Sequence, residues 1–353
     1  MNQIYLLSKI ILIIIGQLIL FGTKSNNKII TSTIENINKD NKCIPNLKTN
    51  ELNKITYEFN QTINEKYIDA QNNFCSNFNS FLNQKYEDLI QLSNISFNGD
   101  FQMYIYKERD GVSSNIMILK NWEFTETNHI LNTLNYYSNK KKVKNEDIYI
   151  LDIGANIGWY SITLGRYGFK IIGFEPSDIN YYILKKNYCL NKGINVTFIN
   201  KGLNTEEKIC DLYNQIKNEG NGMVICDKNI TLPNFLIPKK RGEIILTKLS
   251  NYIPFLKDKH LALFKIDIEG LEGKAIESGI ELITKYHIPF IFLEFSPSSL
   301  KLHGTEPKLF LQMFENNGYK ISTLNFLDRH YSSIDDIVNK EINIYIVYTK
   351  IFE

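Results

Sequence analysis

The sequence has little excess charge of either sign. Its 40 lysines and arginines nearly balance 38 aspartates and glutamates, for a formal net charge of +2. A protein that neutralises a phosphate backbone gathers basic residues on one face, so no nucleic-acid partner is expected. The five cysteines, Cys43, Cys75, Cys189, Cys210 and Cys226, include no CxxC pair and have no histidine pair beside them, which argues against a structural zinc site. Their odd number argues weakly against a disulfide framework and favours buried or incidental thiols. No G-x-G-x-x-G run is present, which counts against a dinucleotide site. No D-x-D pair stands where a nucleotide-sugar metal site would need one, and no internal repeat is found.

Long apolar runs are also scarce, with one exception. Residues 4–22 are mostly apolar, with a dense block at Ile10–Ile15 and interruptions at Ser8, Lys9 and Gln17. A spanning helix needs about 20 such residues. The segment reads as an uncleaved signal-anchor of a single-pass membrane protein. A cleaved signal peptide, giving a secreted chain, and a buried helix are the alternatives. Lysines on both sides leave its orientation open. Residues 23–50 are polar and Asn/Lys-rich and read as a linker. From Leu52 to Leu89 apolar residues recur at spacings of three and four, which predicts a helical stem with one apolar face. That face over residues 52–92 could pack on the domain or self-associate. The expected organisation is therefore 1–22 anchor, 23–94 linker and stem, and 95–353 catalytic domain.

Phe101–Tyr106 and Asn115–Leu119 read as strands joined by a turn at Asp110-Gly111. Thr125–Tyr137 reads as a helix. After Ile148 short apolar runs alternate with helical stretches, and several runs are apolar on both faces, as strands of a covered parallel sheet are. The expected class is α/β with a doubly wound sheet.

The stretch ILDIGANIGWYSITL (150–164) places small residues between a strand and a helix. Gly154 permits a backbone conformation closed to most residues and close approach of a ligand. Ala155 and Gly158 keep the neighbouring bulk small, and the helix that follows would point its N–H groups at the ligand. Asp152, at the head of the loop, suits a cationic group such as an amino acid's ammonium. The next strand ends in GFEPS, and Glu175 lies 21 positions after Gly154. An acid at that distance is placed to accept hydrogen bonds from a ribose diol. An ammonium-bearing nucleoside fits both features, and S-adenosylmethionine is the cofactor expected.

On ILDIGANIGWYS, GFEPS, FKIDIEGLEGKAIESG (264–279) and FLEFSP (292–297), in this order, the chain resembles the FkbM family of S-adenosylmethionine-dependent methyltransferases. The resemblance covers about residues 95–349. It implies a Rossmann-like seven-stranded methyltransferase sheet whose last strand is antiparallel. It also implies that Asp152, Gly154, Ala155, Asn156 and Gly158 surround the methionine end and that Glu175 and Pro176 hold the ribose. Asn200 is a weaker candidate near the adenine.

Methyl transfer demands alignment of the attacking atom with the methyl group, and a hydroxyl nucleophile gains from a general base. Asp267 is the foremost candidate base or orienting group, with Glu269 and Glu294 beside it. Glu269 and Glu272 could bind substrate or a metal. Without an accompanying histidine substrate is the favoured reading, and no metal site is assigned. His303 could sit at the mouth of the site, and Trp122 and His129 could roof it. The expected activity is O-methylation of a hydroxyl on a saccharide, glycan or other small metabolite. A non-catalytic binding protein of the same fold and an NAD-dependent oxidoreductase are the alternatives. A lumenal site would need its own supply of S-adenosylmethionine, which a cytosol-facing domain would not.

Overall fold

The computed structural model describes residues 86–108, 110–215, 218–226 and 239–353, together with Cys75. The apolar segment 4–22, the linker and the stem up to residue 85 lie outside the described residues. Among those described, no helix is long and apolar enough to cross a membrane. The stem pattern does not continue as a helix to residue 92. Glu87–Leu89 is one tight turn, and β1 (Ile90–Ser96) follows it. β1 pairs antiparallel with β2 (Asp100–Tyr106) through a turn at Asn98-Gly99, where both residues have positive φ. Ile90, Ile95, Met103 and Ile105 are buried by this pairing.

Asn115–Leu119 is not a strand. It belongs to helix α1 (Gly111–Leu119), and Asp110 caps that helix by accepting from Ser113 N at 2.7 Å. An Asp-Gly pair serves a helix N-cap as readily as a hairpin, because the short carboxylate meets an orphan N–H in both. Helix α2 (Phe124–Lys141) starts one residue before the expected Thr125 and buries Ile130, Leu131, Leu134 and Tyr137.

Seven strands form the main sheet. In chain order they are β3 (Ile148–Ile153), β4 (Lys170–Phe174), β5 (Asn195–Ile199), β10 (His260–Ile266), β11 (Phe290–Phe295), β12 (Tyr319–Ser322) and β13 (Ile342–Tyr348), in spatial order β12-β13-β11-β10-β3-β4-β5. The five from β11 to β5 are parallel, whereas β13 runs antiparallel to both β11 and β12. β3, β4, β10 and β11 consist almost wholly of buried residues, because helices cover both faces of the sheet. The chain runs outward from β3 to β4 and β5, then returns to lay β10 on the other side of β3. This reversal opens a crevice at the carboxyl ends of β3, β4 and β10, where doubly wound sheets bind ligands.

Between β5 and β10 the chain builds a second sheet that the sequence pattern did not reveal. β6 (Gly202–Leu203), β7 (Lys208–Gln215), β8 (Asn218–Ile225) and β9 (Lys239–Thr247) lie in the order β6-β9-β7-β8. β8 opens Asn-Glu-Gly-Asn-Gly, residues depleted in strands. It is a strand because β7 pairs with it. That pairing sets Asp211 opposite Ile225, so Cys210 meets Cys226 one step further out. The two are joined by a disulfide, with Cα atoms 4.5 Å apart. Cys189 is disulfide-bonded as well, and so is Cys75 in the separate N-terminal unit. This corrects the expectation of incidental thiols. Sixteen residues separate Cys210 from Cys226, and only the hairpin register brings them together.

Candidate active site

β3 ends at Ile153, and the chain turns through Gly154 and Ala155, whose N–H groups both donate to Phe174 O, at 3.0 and 2.9 Å. Gly154 has φ +79°, and a Cβ there would lie 1.9 Å from Asp267 O. The body pressing on this glycine is therefore the chain's own turn after β10, not a ligand. Gly158 has φ +97° and leaves room for Leu184 of helix α4 (Asp178–Leu190), whose Cδ1 would be 2.4 Å from a Cβ. Helix α3 (Trp159–Gly165) follows it and is wholly buried.

Asp152 does not line the cavity. It is 1% exposed, its Oδ2 accepts from Ser161 Oγ at 2.6 Å, and its Oδ1 lies 3.8 Å from Lys265 Nζ. The cation that answers Asp152 in this structure is Lys265, not a ligand's ammonium. Lys265 is itself 4% exposed; its ammonium donates to Gly154 O at 3.0 Å and to Asp267 Oδ2 at 3.3 Å. It thus ties the loop after β3 to the loop after β10. Sequence reasoning passed over it because a lone lysine in a strand carries no signal.

Glu175, just beyond β4, forms part of the cavity wall. Its Oε2 accepts from Asn156 N at 2.8 Å, and its Oε1 accepts from Ser177 N at 2.9 Å and Asn180 Nδ2 at 3.4 Å. Burial pushes this carboxyl up to about 7, against the opposing pull of these donors. A carboxylate offers about four acceptor positions. Three are used, so one ribose hydroxyl can be accepted directly, and a second only where the long Asn180 bond yields. Asn200 stands behind the wall, where its Nδ2 donates to Glu175 O and Pro176 O. It holds the turn and does not line the cavity.

The hairpin β7–β8 forms the opposite wall through Leu212, Asn218, Gly220 and Val224. It is tied down at Asn218, whose Oδ1 accepts from Gly111 N at 3.2 Å, and at Gly220. Gly220 O accepts from Asn156 Nδ2 and Asn180 Nδ2, and Gly220 N donates to Asp110 Oδ1 at 2.9 Å. Asp110, Asn180 and Gly220 were absent from the expected site, since their roles depend on a hairpin of weak strand character.

The acidic residues converge at the third side, after β10 and β11. Asp267, Glu269 and Glu294 present carboxylate oxygens that all lie within 4.8 Å of one another. Glu269 has φ +57°, and Gly270 beside it has φ +103°. Burial first, then the charges of Asp267 and Glu272, push Glu269 up to about 8. Asp267 holds the Glu294 carboxyl far above the usual carboxylate range. Glu123, before α2, also lines the cavity and accepts from Tyr160 Oη at 2.5 Å. Trp122 lines the cavity as well. His129 instead packs against Tyr345, and His303 lies against Gly270.

Of the expected residues, Gly154, Asn156, Glu175, Pro176, Asp267, Glu269 and Glu294 line one cavity of about 250 Å³, whereas Asp152, Ala155, Gly158 and Asn200 stand behind it. The glycine turn, the acid after the second strand and the acidic turn after β10 all fall in one stretch, and residues 152–321 match the family model described as the methyltransferase FkbM domain. Over residues 152–321 the chain thus matches an FkbM methyltransferase domain. The matched stretch includes Asp152, Glu175, Asp267 and Glu294 and ends in β12. No curated protein matches the chain. Among solved structures, the chain is similar to WbdD, titled a bifunctional kinase-methyltransferase. The match has 12% identity and a TM-score of 0.36, and covers 63% of this chain and 40% of the monomeric WbdD chain. It thus spans well under half the length of that relative. It is also similar to a TehB-like SAM-dependent methyltransferase from Corynebacterium glutamicum, at 11% identity and TM-score 0.32, covering 66% of this chain and 92% of that one. A magnesium protoporphyrin IX methyltransferase from Synechocystis matches at 11% identity and TM-score 0.33, covering 67% and 83%.

Proposed function

We propose that the FkbM domain binds S-adenosylmethionine and transfers its methyl group to a hydroxyl of a saccharide, glycan or small metabolite. The observation that carries this reading is the placement of Glu175. It is a buried carboxyl at the end of the strand beside the glycine turn, in the wall of a cavity whose far side is acidic. One free acceptor position there suits a ribose hydroxyl. The acidic side suits a sulfonium and the proton released from an acceptor. When bound, the cofactor supplies a methyl group on a positively charged sulfur. The chain's own part is to orient the two reactants and to favour loss of the acceptor's proton beside its acidic side. Lys265 fixes Asp267 Oδ2, and Asp267 also shares a side-chain hydrogen bond with Glu294, which holds both carboxyls at the cavity's acidic side. Trp122 and the β7–β8 hairpin narrow the access of water.

The disulfides support a domain on the oxidising side of a membrane, anchored or secreted, because such bonds persist outside reducing compartments. In that location the cofactor has to be supplied across the membrane.

Calorimetric titration of the full-length chain with S-adenosylmethionine and, separately, NAD tests the reading. Micromolar binding of the first, lost in Glu175→Ala, is the expected result. Binding of NAD alone, or of neither by folded protein, would overturn it.

A further inference from the structure

The acidic side of the cavity crowds more carboxyl groups than its surroundings could neutralise if all were ionised, and Asp267 and Glu294 already share a hydrogen bond. Asp267, Glu269 and Glu294 bring one oxygen each within 4.8 Å of the others. Two carboxylate oxygens on one small cation are separated by about 3 Å when adjacent and by a little over 4 Å when opposite, given metal–oxygen distances of about 2.0–2.4 Å. The cluster has that spacing before any ion is considered.

A second observation comes from a residue outside the cluster. Glu272 opens helix α5 (Glu272–Ser278) and is 1% exposed. Its Oε1 accepts from Ile268 N at 3.0 Å and Gly270 N at 3.2 Å, so its carboxyl is fixed beneath the turn that carries Glu269. Its other oxygen, Oε2, is buried with no hydrogen-bond partner. This carboxyl interacts electrostatically with Asp267, Glu269 and Glu294. A buried carboxylate oxygen without a partner costs free energy unless a positive charge answers it. Lys265 is the described cation that reaches this region, and its ammonium is already shared among Gly154 O, Asp267 and Asp152.

We propose that Asp267, Glu269 and Glu294 bind a divalent cation of the magnesium or manganese type, with the Glu272 carboxyl beneath it as a charge-bearing support. Oxygen-only ligands select such hard cations, and three protein ligands leave positions open for water or substrate. The proposed chemistry rests on the methyltransferase reading. An acceptor hydroxyl takes an open position on the cation, which lowers its pKa, and its proton leaves to solvent. The oxygen lone pair forms a bond to the methyl carbon as the carbon–sulfur bond breaks. The electrons of that bond return to sulfur, and a methyl ether and a neutral thioether result. An acceptor with two neighbouring hydroxyls, as on a sugar ring, could occupy two positions.

The test is titration of the full-length, chelator-treated chain with Mn²⁺, following the free-ion signal by electron paramagnetic resonance. One ion per chain is expected, displaceable by Mg²⁺. Glu269→Gln and Glu294→Gln should each weaken it at least tenfold, and Glu272→Gln by a smaller factor. Thermal melting of the wild-type chain with Mn²⁺ against chelator covers the case of a variant that does not fold, and a rise in Tm is expected. No uptake of Mn²⁺, uptake unchanged in folded Glu269→Gln and Glu294→Gln, or no shift in wild-type Tm would each overturn the site. S-adenosylhomocysteine binding is measured in parallel. Its retention in a chain that ignores Mn²⁺ would sink the metal site and leave the methyltransferase reading intact. Mn²⁺ uptake without S-adenosylhomocysteine binding would support the site and overturn the proposed function.

Discussion

At Gly154 the reason for a glycine differs from the one the sequence suggests. Small residues after a strand point to a ligand pressed against the backbone, whereas the structure puts Asp267 O where a side chain would go. Gly154→Ala therefore meets two penalties: a left-handed conformation, at about 1–2 kcal/mol, and a clash with a main-chain oxygen that cannot swing aside. The expected result is a loss of at least about 3 kcal/mol in chemical denaturation, together with loss of cofactor binding, since the turns after β3 and β10 can no longer touch. A variant that melts like the parent would show that the two turns are not packed as described.

Glu175 supports a prediction in pH. Burial raises its carboxyl from 4.5 to about 7 in the folded state, so the fold holds this proton more tightly than the unfolded chain does. Its contribution to stability is then fully present below pH 4.5 and is lost as pH rises to about 7, for a change on the order of 3 kcal/mol. Ribose recognition has the opposite sign, because the ionised carboxyl is the better acceptor. Affinity for S-adenosylmethionine should climb up to about tenfold per pH unit towards pH 7 and level off above it. Glu175→Gln should flatten both profiles, and calorimetry and thermal melts across pH 5–8 would show whether it does. Lys265 and Tyr106 also act electrostatically on or with this carboxyl, so the flattening in the variant is the decisive comparison.

Among the elements, legibility followed burial. The strands of the main sheet were readable because continuous apolar runs between helices have one good interpretation, and β4 (Lys170–Phe174) has the bounds its pattern implies. The β6–β9 insertion was not readable. Its strands are held by pairing and by a disulfide, and β8 carries glycines and asparagines that propensity assigns to turns. Half of the site was lost with it, since Gly220 is the point where Asp110, Asn156 and Asn180 meet. Asn115–Leu119 failed for another reason. Five apolar-rich residues fit a strand or a helix, and the cap at Asp110 decided between them. The insertion can be tested as an element. Cys210→Ser with Cys226→Ser opens a loop of 16 residues, and loop-closure entropy gives a cost of about 3 kcal/mol. Because β8 is a wall of the cavity, the pair of substitutions should also weaken S-adenosylmethionine binding several-fold, and reductant should weaken binding by the parent chain in the same direction. Unchanged affinity would mean that the β7–β9 pairing and the bonds at Asn218 and Gly220 keep the hairpin in place without the disulfide.

For the whole molecule, the topology explains why residues distant in sequence share one cavity. β3 lies between β4 and β10, so the loops after these three strands must adjoin, and β11 beside β10 brings Glu294 to the same edge. Any sequence reading that recovers the strand order recovers this convergence. The redox state of the thiols was not legible, because it depends on pairings across the fold. Cys75, Cys189, Cys210 and Cys226 are disulfide-bonded, and Cys43 lies outside the described residues. A chain made on the oxidising side of a membrane should thus offer at most one thiol to a maleimide-polymer label under denaturing, non-reducing conditions, and all five after reduction. The same chain made in a reducing cytosol should offer all five at once, melt lower and bind S-adenosylmethionine less tightly, because the hairpin wall has lost its staple. Mass spectrometry of labelled chains from both sources would separate these cases. Five reactive thiols in the fully active, membrane-derived chain would place the domain on the reducing side and remove the support that the disulfides give to the opposite orientation.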